Sequence, residues 1–492
     1  MPDRNALPLR QSALLFVFFA TVYFFTRSPG LDEWDSVQFA LGVRHFDIWA
    51  QQPHPPGYPL YIFFGWIGHA LLRLDIVFAL QTVSCLGGAL MVAAWFLIVR
   101  LHFGARFAWL VALSLGVTPI VWMTSTKTMT DSAATGFLSA QLLCALRYRR
   151  SGGLASLFGA GVCGAVAAGV RPQLFAVVVV VIVFALVARK APLRAWLLGL
   201  GSLVGGCLLW LGPMWYLQAQ LRPELPWWWI YPTQVYGQWR WRLDRPNVYI
   251  GAGSWSPIYL GTRFGAHILG WLSVGLGLIE NVFTIVAGSL LVLFGFGSYA
   301  RHFNAADREF WRAHRGWAIV HVLIIFCCLP AAQRYYLIII PLVLVSLGRG
   351  LMTLPGPWSR VAWALPVLLL GISIPLVLKH HTQDSPPLLF ARYLERHYPP
   401  GKRGDVLLLL SQTRRHVQWY APGFHLAPKD QSVAETPPEE LARAKAIYTD
   451  DPNIVLRPGW KLERLALYHR SILIAPKHRK IGVYRVERAV SP

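Results

Sequence analysis

The chain has 492 residues, of which 55% are hydrophobic and only 14% are charged. This balance is far from that of a soluble globular protein and indicates a polytopic membrane protein. The net charge is +23, but the basic residues punctuate apolar segments instead of forming one patch. That distribution is typical of cytoplasmic loops and phospholipid contacts, and it argues against a nucleic-acid-binding protein.

The chain begins with Arg4 and Arg10 ahead of an apolar stretch, Ser12–Phe25, in the manner of a signal peptide. No small-x-small cleavage site follows, so we expect an uncleaved first span. Further apolar segments recur toward the C-terminus, several of them shorter than the ~20 residues that a spanning helix needs. Including the first apolar stretch, the strongly apolar segments lie approximately at 12–26, 76–99, 107–123, 132–146, 154–170, 173–188, 196–217, 282–300, 317–332, 335–348 and 361–378.

Two weaker apolar segments, 58–72 and 264–280, decide the topology. If 58–72 crossed the membrane, the basic residues at 100–106 and 147–150 would lie outside, against the positive-inside rule. If both weak segments instead lie along the outer surface, every dense basic cluster becomes cytoplasmic. The sequence therefore predicts about 11 spans, a cytoplasmic N-terminus and an extracytoplasmic C-terminus.

In this topology the outer side carries an acidic loop, 27–75, in which Asp32, Glu33 and Asp35 fall within four positions. Only 23 acids occur in the whole chain, and acids beside a membrane are costly unless they are solvated, paired or used. Two other outer loops are predicted, a short one at 124–131 and an aromatic one at 218–281. The tryptophans and tyrosines of the aromatic loop suit an interfacial belt or, alternatively, a groove for a lipid carrier.

The first 380 residues are thus predicted to form an all-α transmembrane domain, and the character of the sequence changes near its end. Short β-strands are predicted at 406–410, 446–448, 471–475 and 481–486 among polar turns. Residues 381–492 should therefore form a small extracytoplasmic α/β domain. The six cysteines all lie in apolar stretches without metal-ligand spacing and are interpreted as buried small side chains.

The predicted spans are almost free of ionisable residues, His321 being the exception. A proton- or ion-driven transporter would carry acids near the bilayer midplane, whereas here they lie at the outer rim, where Asp131 joins those of the first loop. A rim carboxylate can act as a general base on a hydroxyl, and a departing phosphate needs only cations to stabilise its charge.

Four outer-face residues could provide that positive charge: His54, Arg171, Arg263 and Arg334. Considered alone, each of them could instead be a residue of an apolar helix whose side chain extends to the membrane interface. His54 can also cap the rigid turn that follows it. Taken together with the carboxylates on one face, they predict a site for a phosphate-linked substrate.

Three motifs carry a resemblance to a known family: Asp35-x-x-x-Phe39-Ala40, the run His54-Pro55-Pro56-Gly57-Tyr58, and Arg334-Tyr335 followed by Pro341. The chain resembles the GT-C superfamily of polyprenyl-phosphate-sugar-dependent glycosyltransferases, and its first loop is most similar to the plexin-type O-mannosyltransferase branch. The resemblance implies a GT-C-like bundle over roughly residues 10–350. It also implies roles for individual residues: Asp35 as the catalytic base, Asp131 on the acceptor side, and His54, Tyr58, Arg171, Arg334 and Tyr335 in substrate binding.

The first loop departs from the family pattern in one respect. The family often has Asp-Glu at the catalytic position, but here Asp35 precedes Ser36, and the Asp-Glu pair lies earlier at Asp32-Glu33. The base is therefore Asp35 or Asp32, with Glu33 as a further catalytic candidate, and the spacing to Phe39-Ala40 favours Asp35. The O-mannosyl and aminoarabinose enzymes that this loop resembles use no metal, so no metal and no cofactor are expected.

The resemblance implies an inverting glycosyltransferase that moves a sugar from a polyprenyl-phosphate carrier to a hydroxyl of a glycan, lipid or protein acceptor. A lipid or polysaccharide transporter is the first alternative, and it predicts an aqueous path and activity without the rim acids. A non-catalytic scaffold with a degenerate site is the second, because Ser36-Val37-Gln38 departs from the closest branch.

Overall fold

A computed structural model describes residues 8–226, 297, 299–327, 333–429, 431–470 and 480–489. The chain forms two compact units, one of residues 1–27 and 42–378 and the other of residues 28–41 and 379–492. Part of the acidic loop therefore groups with the C-terminal residues, while the predicted domain boundary at 380 stays a prediction. Four predicted features lie wholly or largely outside the described residues: the tryptophan-rich part of the aromatic loop, the weak segment 264–280, most of the span 282–300 and the strand 471–475.

Helices make up the first unit, and proline begins several of them because its fixed φ suits the first helical turn. Three 3-10 turns, Pro172–Leu174, Gln333–Tyr336 and Gly356–Trp363, lie between helices. The helices are α1 Leu9–Phe25, α2 Trp34–Arg44 (which starts in the second unit), α3 Pro59–Ala70, α4 Ile76–Phe103, α5 Ala105–Val117, α6 Pro119–Ser125, α7 Thr130–Ser151, α8 Leu154–Val170, α9 Phe175–Ala188, α10 Leu193–Leu221, α11 Ala305–Cys327, α12 Ile340–Met352 and α13 Ala364–Thr382.

Three described helical stretches are long and apolar enough to cross a membrane: Ile76–Phe103, Leu193–Leu221 and Ser359–His397. A fourth span results if α5 and α6 count as one, since they meet at a bend of 59°. Pro119 accounts for that bend, because proline cannot continue the hydrogen bonding of the preceding helix. The chain is therefore a mainly helical multi-pass membrane protein, while the count of 11 spans is not confirmed.

The weak segment 58–72 forms α3, whose 12 residues correspond to a length of ~18 Å. That is well short of the ~30 Å hydrocarbon core, so the length agrees with the predicted surface helix. Tyr61 anchors α3 to α4, because its hydroxyl donates to the carbonyl oxygen of Leu80 at 3.1 Å and lies 2.9 Å from the hydroxyl of Ser84.

Helices α4 and α7 pack backbone against backbone. A Cβ atom at Gly87 would lie 2.2 Å from Cα of Ala133, and one at Gly136 would lie 2.2 Å from the carbonyl oxygen of Gly87. Small residues allow such an approach within a membrane, where hydroxyls then bridge the helices. Ser132 donates to the carbonyl of Ser84 at 3.1 Å, so the start of α7 is held firmly against α4.

The second unit contains a five-stranded sheet in the order β2-β1-β3-β5-β4, in which β1 is parallel to β2 and β3, and β5 is antiparallel to β3 and β4. Its elements are α14 Pro386–His397, β1 Val406–Leu409, α15 Arg414–Tyr420, β2 His425–Leu426, α16 Pro438–Arg443, β3 Ala446–Thr449, β4 Trp460–His469 and β5 Lys480–Arg488. The small α/β unit is confirmed. Strand β4 was not predicted, because none of its residues is fully buried and half of them are exposed, which obscures the alternation.

The close packing of α4 and α7 gives a first prediction. Gly136→Ala should destabilise the bundle, because overpacking of a tight interface costs about 1–3 kcal/mol. The matched control is Gly201→Ala in α10, where a new Cβ meets nothing within 4 Å. Melting of the purified protein in detergent should show a Tm several degrees lower for Gly136→Ala only. Equal Tm values for the two variants would contradict the interface.

Candidate functional site

The first unit holds a buried ion pair between Asp131, in the first turn of α7, and Arg171, directly after α8. Nη1 of Arg171 lies 2.5 Å from Oδ1 of Asp131, and the two residues are only 9% and 3% exposed. The same nitrogen donates to the hydroxyl of Thr130 at 3.2 Å. A buried charge is tolerated when it is paired and hydrogen-bonded in this way, so the pair holds the guanidinium in a defined place.

A second guanidinium lies near the first, with an aromatic ring in contact with both. Cζ of Arg171 is 4.7 Å, and Cζ of Arg334 5.7 Å, from the ring centroid of Tyr335. Burial lowers the pKa of Arg171, but Asp131, Tyr335 and Tyr58 together outweigh burial and raise the pKa above its usual value. Two permanently charged forks side by side are well suited to binding a phosphate group.

His54 and Tyr58 form a second polar group within the first unit. The hydroxyl of Tyr58 lies 2.9 Å from Nε2 of His54 and accepts a hydrogen bond from Nε2 of Gln173 at 3.0 Å. The backbone of His54 also closes the turn, because its carbonyl accepts from the N–H of Gly57 at 3.0 Å. The backbone of His54 therefore makes the predicted turn, whereas its role in binding a phosphate stays a prediction.

A cavity of about 40 Å³ lies at the ion pair. Four of the residues predicted from the sequence line it, namely Asp131, Arg171, Arg334 and Tyr335. Three further polar residues, Thr135, Gln173 and His321, line it as well and were not predicted as site residues. The sequence offered one indication of His321, which is the exceptional ionisable residue in the predicted spans. It offered no indication of Gln173 other than its position two residues after Arg171.

The three clustered acids of the first loop lie in the second unit, where both carboxylate oxygens of Asp32 have partners. Oδ2 of Asp32 pairs with Nε2 of His380, and Oδ1 accepts from Nη1 of Arg470 at 3.0 Å. Arg470 also donates to the carbonyl oxygen of Gln383 at 2.8 Å, and all three charged or titratable side chains are buried. Since both oxygens of Asp32 are in contact with side chains, this geometry argues against Asp32 as the base.

Further hydrogen bonds fix the backbone just before Asp32. The N–H of Leu31 donates to the hydroxyl of Tyr420 at 2.9 Å, and its carbonyl oxygen lies 3.1 Å from Nε2 of His416. Burial raises the pKa of Tyr420, so its phenol stays protonated at neutral pH. The loop is therefore anchored to the C-terminal part of its own unit.

Asp35 lies in the first turn of α2 and, like Glu33, is partly exposed. The helix dipole stabilises the negative charge of a carboxylate in the first turn of a helix. Lys429 lies nearby in the same unit, with Nζ 5.5 Å from the ring centroid of Trp34. Among the acids of the loop, Asp35 thus combines partial exposure with the motif spacing, and its catalytic role stays a prediction.

No group of three or more His, Cys, Asp or Glu side chains that could hold a metal ion occurs among the described residues. This finding does not test the expected metal independence, which stays a prediction.

Comparison with known proteins supports the resemblance found in the sequence. The model of a family described as dolichyl-phosphate-mannose-protein mannosyltransferase matches residues 53–216, about a third of the chain. A search of curated proteins finds no match. Two crystal structures of ArnT from Cupriavidus metallidurans share the fold.

The ArnT structure bound to undecaprenyl phosphate matches with a TM-score of 0.52 and 16% identity, over 98% of this chain and 99% of that one. The apo structure matches with a TM-score of 0.54 and 14% identity, over 96% and 97% of the two chains. The predicted resemblance to the GT-C glycosyltransferases is thus confirmed by the family match and by the fold. The matched segment contains His54, Tyr58, Asp131 and Arg171 but neither Asp35 nor Arg334.

The Asp32 ion pairs give a second prediction. Arg470→Met should lower the free energy of unfolding by about 3–5 kcal/mol, because removing one member of a buried pair leaves a charge uncompensated. Asp32→Asn combined with Arg470→Met removes that charge and should recover part of the loss. Thermal melting of the full chain and the two variants measures this coupling. A double variant that melts at or below the temperature of the single one would refute it.

Proposed function

We propose that this chain is an inverting glycosyltransferase that moves a sugar from a polyprenyl-phosphate carrier to an acceptor hydroxyl at the outer face of a bacterial inner membrane. The observation that carries the proposal is the buried Asp131–Arg171 pair with Arg334 beside Tyr335. Two guanidinium groups at a small cavity provide a place for the phosphate of the carrier. The family match supports glycosyl transfer as the reaction class.

The reaction breaks two bonds and forms two. The acceptor oxygen attacks the anomeric carbon, the bond from that carbon to the phosphate oxygen breaks, and the hydroxyl proton passes to a carboxylate. The phosphodiester of the donor carries one negative charge and the departing polyprenyl phosphate carries two, and Arg171 and Arg334 stabilise the additional charge as it develops. No acid is needed to protonate such a leaving group.

Asp35 is the proposed base, on the strength of its motif and its partial exposure. Asp32 is better suited to a structural role because His380 and Arg470 contact its two oxygens. Asp131 is proposed to hold Arg171 in place through Oδ1 and to position substrate hydroxyls through its other oxygen. His54 and Tyr58 complete the substrate-binding set through the hydrogen bond to Gln173.

The carrier chain needs an apolar path, and the first unit offers one between α3 and α10. A groove of about 700 Å³ runs there, which is large enough for several isoprene units of a polyprenyl chain. It is lined mainly by apolar side chains, among them Leu60, Phe63, Trp66, Leu209 and Met214. The groove supports a lipid-linked donor over a soluble sugar nucleotide.

A third prediction tests the phosphate site. Arg334→Met should weaken the binding of undecaprenyl phosphate about tenfold or more, because one charge-assisted hydrogen bond contributes about 1.5–3 kcal/mol. Arg73→Met, a change at an exposed arginine, is the control of equal charge and should bind normally. Titration of the detergent-solubilised protein by microcalorimetry gives both Kd values. Equal weakening in the two variants would indicate net charge instead of a site.

A fourth prediction concerns the base. Asp35→Asn should reduce sugar transfer by a factor of about 10²–10⁴, the usual contribution of a general base, while undecaprenyl phosphate still binds. Glu33→Gln is the matched neighbour and should retain activity. The measurement is transfer in membranes from a radiolabelled polyprenyl-phosphate sugar. Normal transfer by Asp35→Asn would remove the base assignment, and transport by that variant would favour the alternative transporter.

A further inference from the structure

Three residues that line the cavity at the ion pair each have a buried polar atom without a hydrogen-bond partner in the part of the chain that the structure describes. These atoms are Oδ2 of Asp131, Oε1 of Gln173 and Nδ1 of His321. Asp131 and His321 are 3% and 5% exposed. Buried polar groups nearly always have a partner, and an exception calls for an explanation such as a binding site.

All three atoms are hydrogen-bond acceptors, as their neighbours show. Nε2 of His321 lies 2.8 Å from the carbonyl oxygen of Tyr335, and a carbonyl only accepts, so the proton of the neutral ring is on Nε2 and Nδ1 has the lone pair. Nε2 of Gln173 donates to the hydroxyl of Tyr58, which leaves Oε1 as the acceptor. Asp131, paired with a guanidinium, is ionised and can only accept.

The charges of the same cavity restrict what can supply the hydrogens. Arg171 and Arg334 contribute two positive charges and Asp131 one negative charge, so the lining has an excess positive charge before a ligand binds. Once the phosphodiester of the donor neutralises that excess, a cationic sugar would leave a buried charge uncompensated, whereas the hydroxyl groups of an uncharged sugar would donate to all three acceptors. A volume of about 40 Å³ admits the hydroxyl-bearing edge of a sugar ring, since one water needs roughly 10–15 Å³ by this measure.

We propose that Asp131, Gln173 and His321 form a subsite for the hydroxyl groups of the donor sugar, beside the arginines that hold its phosphate. The donor is then an uncharged, hydroxyl-rich sugar, and His321 is a residue that determines sugar specificity. This inference rests on the proposed function, because the phosphate of the carrier places the sugar next to Arg171 and Arg334. The subsite contacts the sugar only, whereas the polyprenyl phosphate is common to the sugar-loaded carrier and the empty carrier.

The experiment compares two replacements of His321 that keep different halves of the imidazole. In His321→Gln the terminal amide nitrogen keeps the position of Nε2 and its bond to Tyr335, but the acceptor at Nδ1 is lost. In His321→Asn the side-chain oxygen keeps the position of the Nδ1 acceptor, but the bond to Tyr335 is lost. A subsite predicts that Asn preserves sugar binding better than Gln, and a purely structural histidine predicts the reverse order.

Microcalorimetry of the full chain in detergent would use undecaprenyl phosphate and undecaprenyl-phosphate mannose as probes. We expect His321→Gln to bind the mannose-loaded carrier about five- to tenfold more weakly than the unaltered chain, as the loss of one buried hydrogen bond implies. The empty carrier should bind all variants with the same Kd. Size-exclusion profiles of the variants must match that of the unaltered chain for the comparison to stand.

The outcomes separate this inference from the function on which it rests. Unchanged affinity of His321→Gln for the loaded carrier, or equal weakening for both carriers, would overturn the subsite and leave the glycosyltransferase intact. Tighter binding of an undecaprenyl-phosphate aminopentose than of the mannose carrier would overturn the assignment to an uncharged sugar. Failure of the unaltered chain to bind either carrier would overturn the proposed function as well.

Discussion

The ion pair of Asp131 and Arg171 is the constraint on which the rest of the site depends. Two buried charges are stable only when they meet, because a single uncompensated ion inside a bundle is strongly unfavourable. The start of α7 must therefore arrive at the end of α8. Gly87 and Gly136 make this arrangement sterically feasible, since they let α4 and α7 approach to backbone contact. A charged site is thus supported by residues that have no polar side chain at all.

The same physical rule separates the acids of the first loop. Asp32 is buried and has two cationic or titratable partners, His380 and Arg470, that come from residues far along the chain. Asp35 lies three positions later in the first turn of a helix and is partly exposed. Neighbouring carboxylates of one loop therefore differ in their surroundings: Asp32 anchors the loop within its unit, and Asp35 stays partly exposed.

The cavity of the first unit shows how a bundle can keep unsatisfied polar atoms without losing its stability. Gln173 and His321 each use one polar atom in a bond to a neighbouring tyrosine, which fixes the orientation of the side chain. The remaining acceptor of each lines the cavity. Binding sites commonly depart from full internal satisfaction in this way, and the surrounding apolar packing supplies the stability.

Much of the architecture could be predicted from the sequence, because hydropathy and basic-residue placement report directly on which segments avoid water. The apolar segments, the change of character near residue 380 and the clustering of Asp131, Arg171, Arg334 and Tyr335 at one site were all accessible in this way. The motif spacing also favoured Asp35 over Asp32. These features depend on local composition or on short patterns within one segment.

Other features required the tertiary structure, because they depend on residues distant in sequence. Nothing near Asp32 indicates that His380 and Arg470 will contact it, and nothing near His321 indicates that one ring nitrogen will bond to Tyr335. Strand β4 forms through its pairing with β5, although none of its residues is fully buried and half of them are exposed. Composition thus determined the membrane class and the candidate charges, whereas packing decided which charges are paired and which acceptors remain for a ligand.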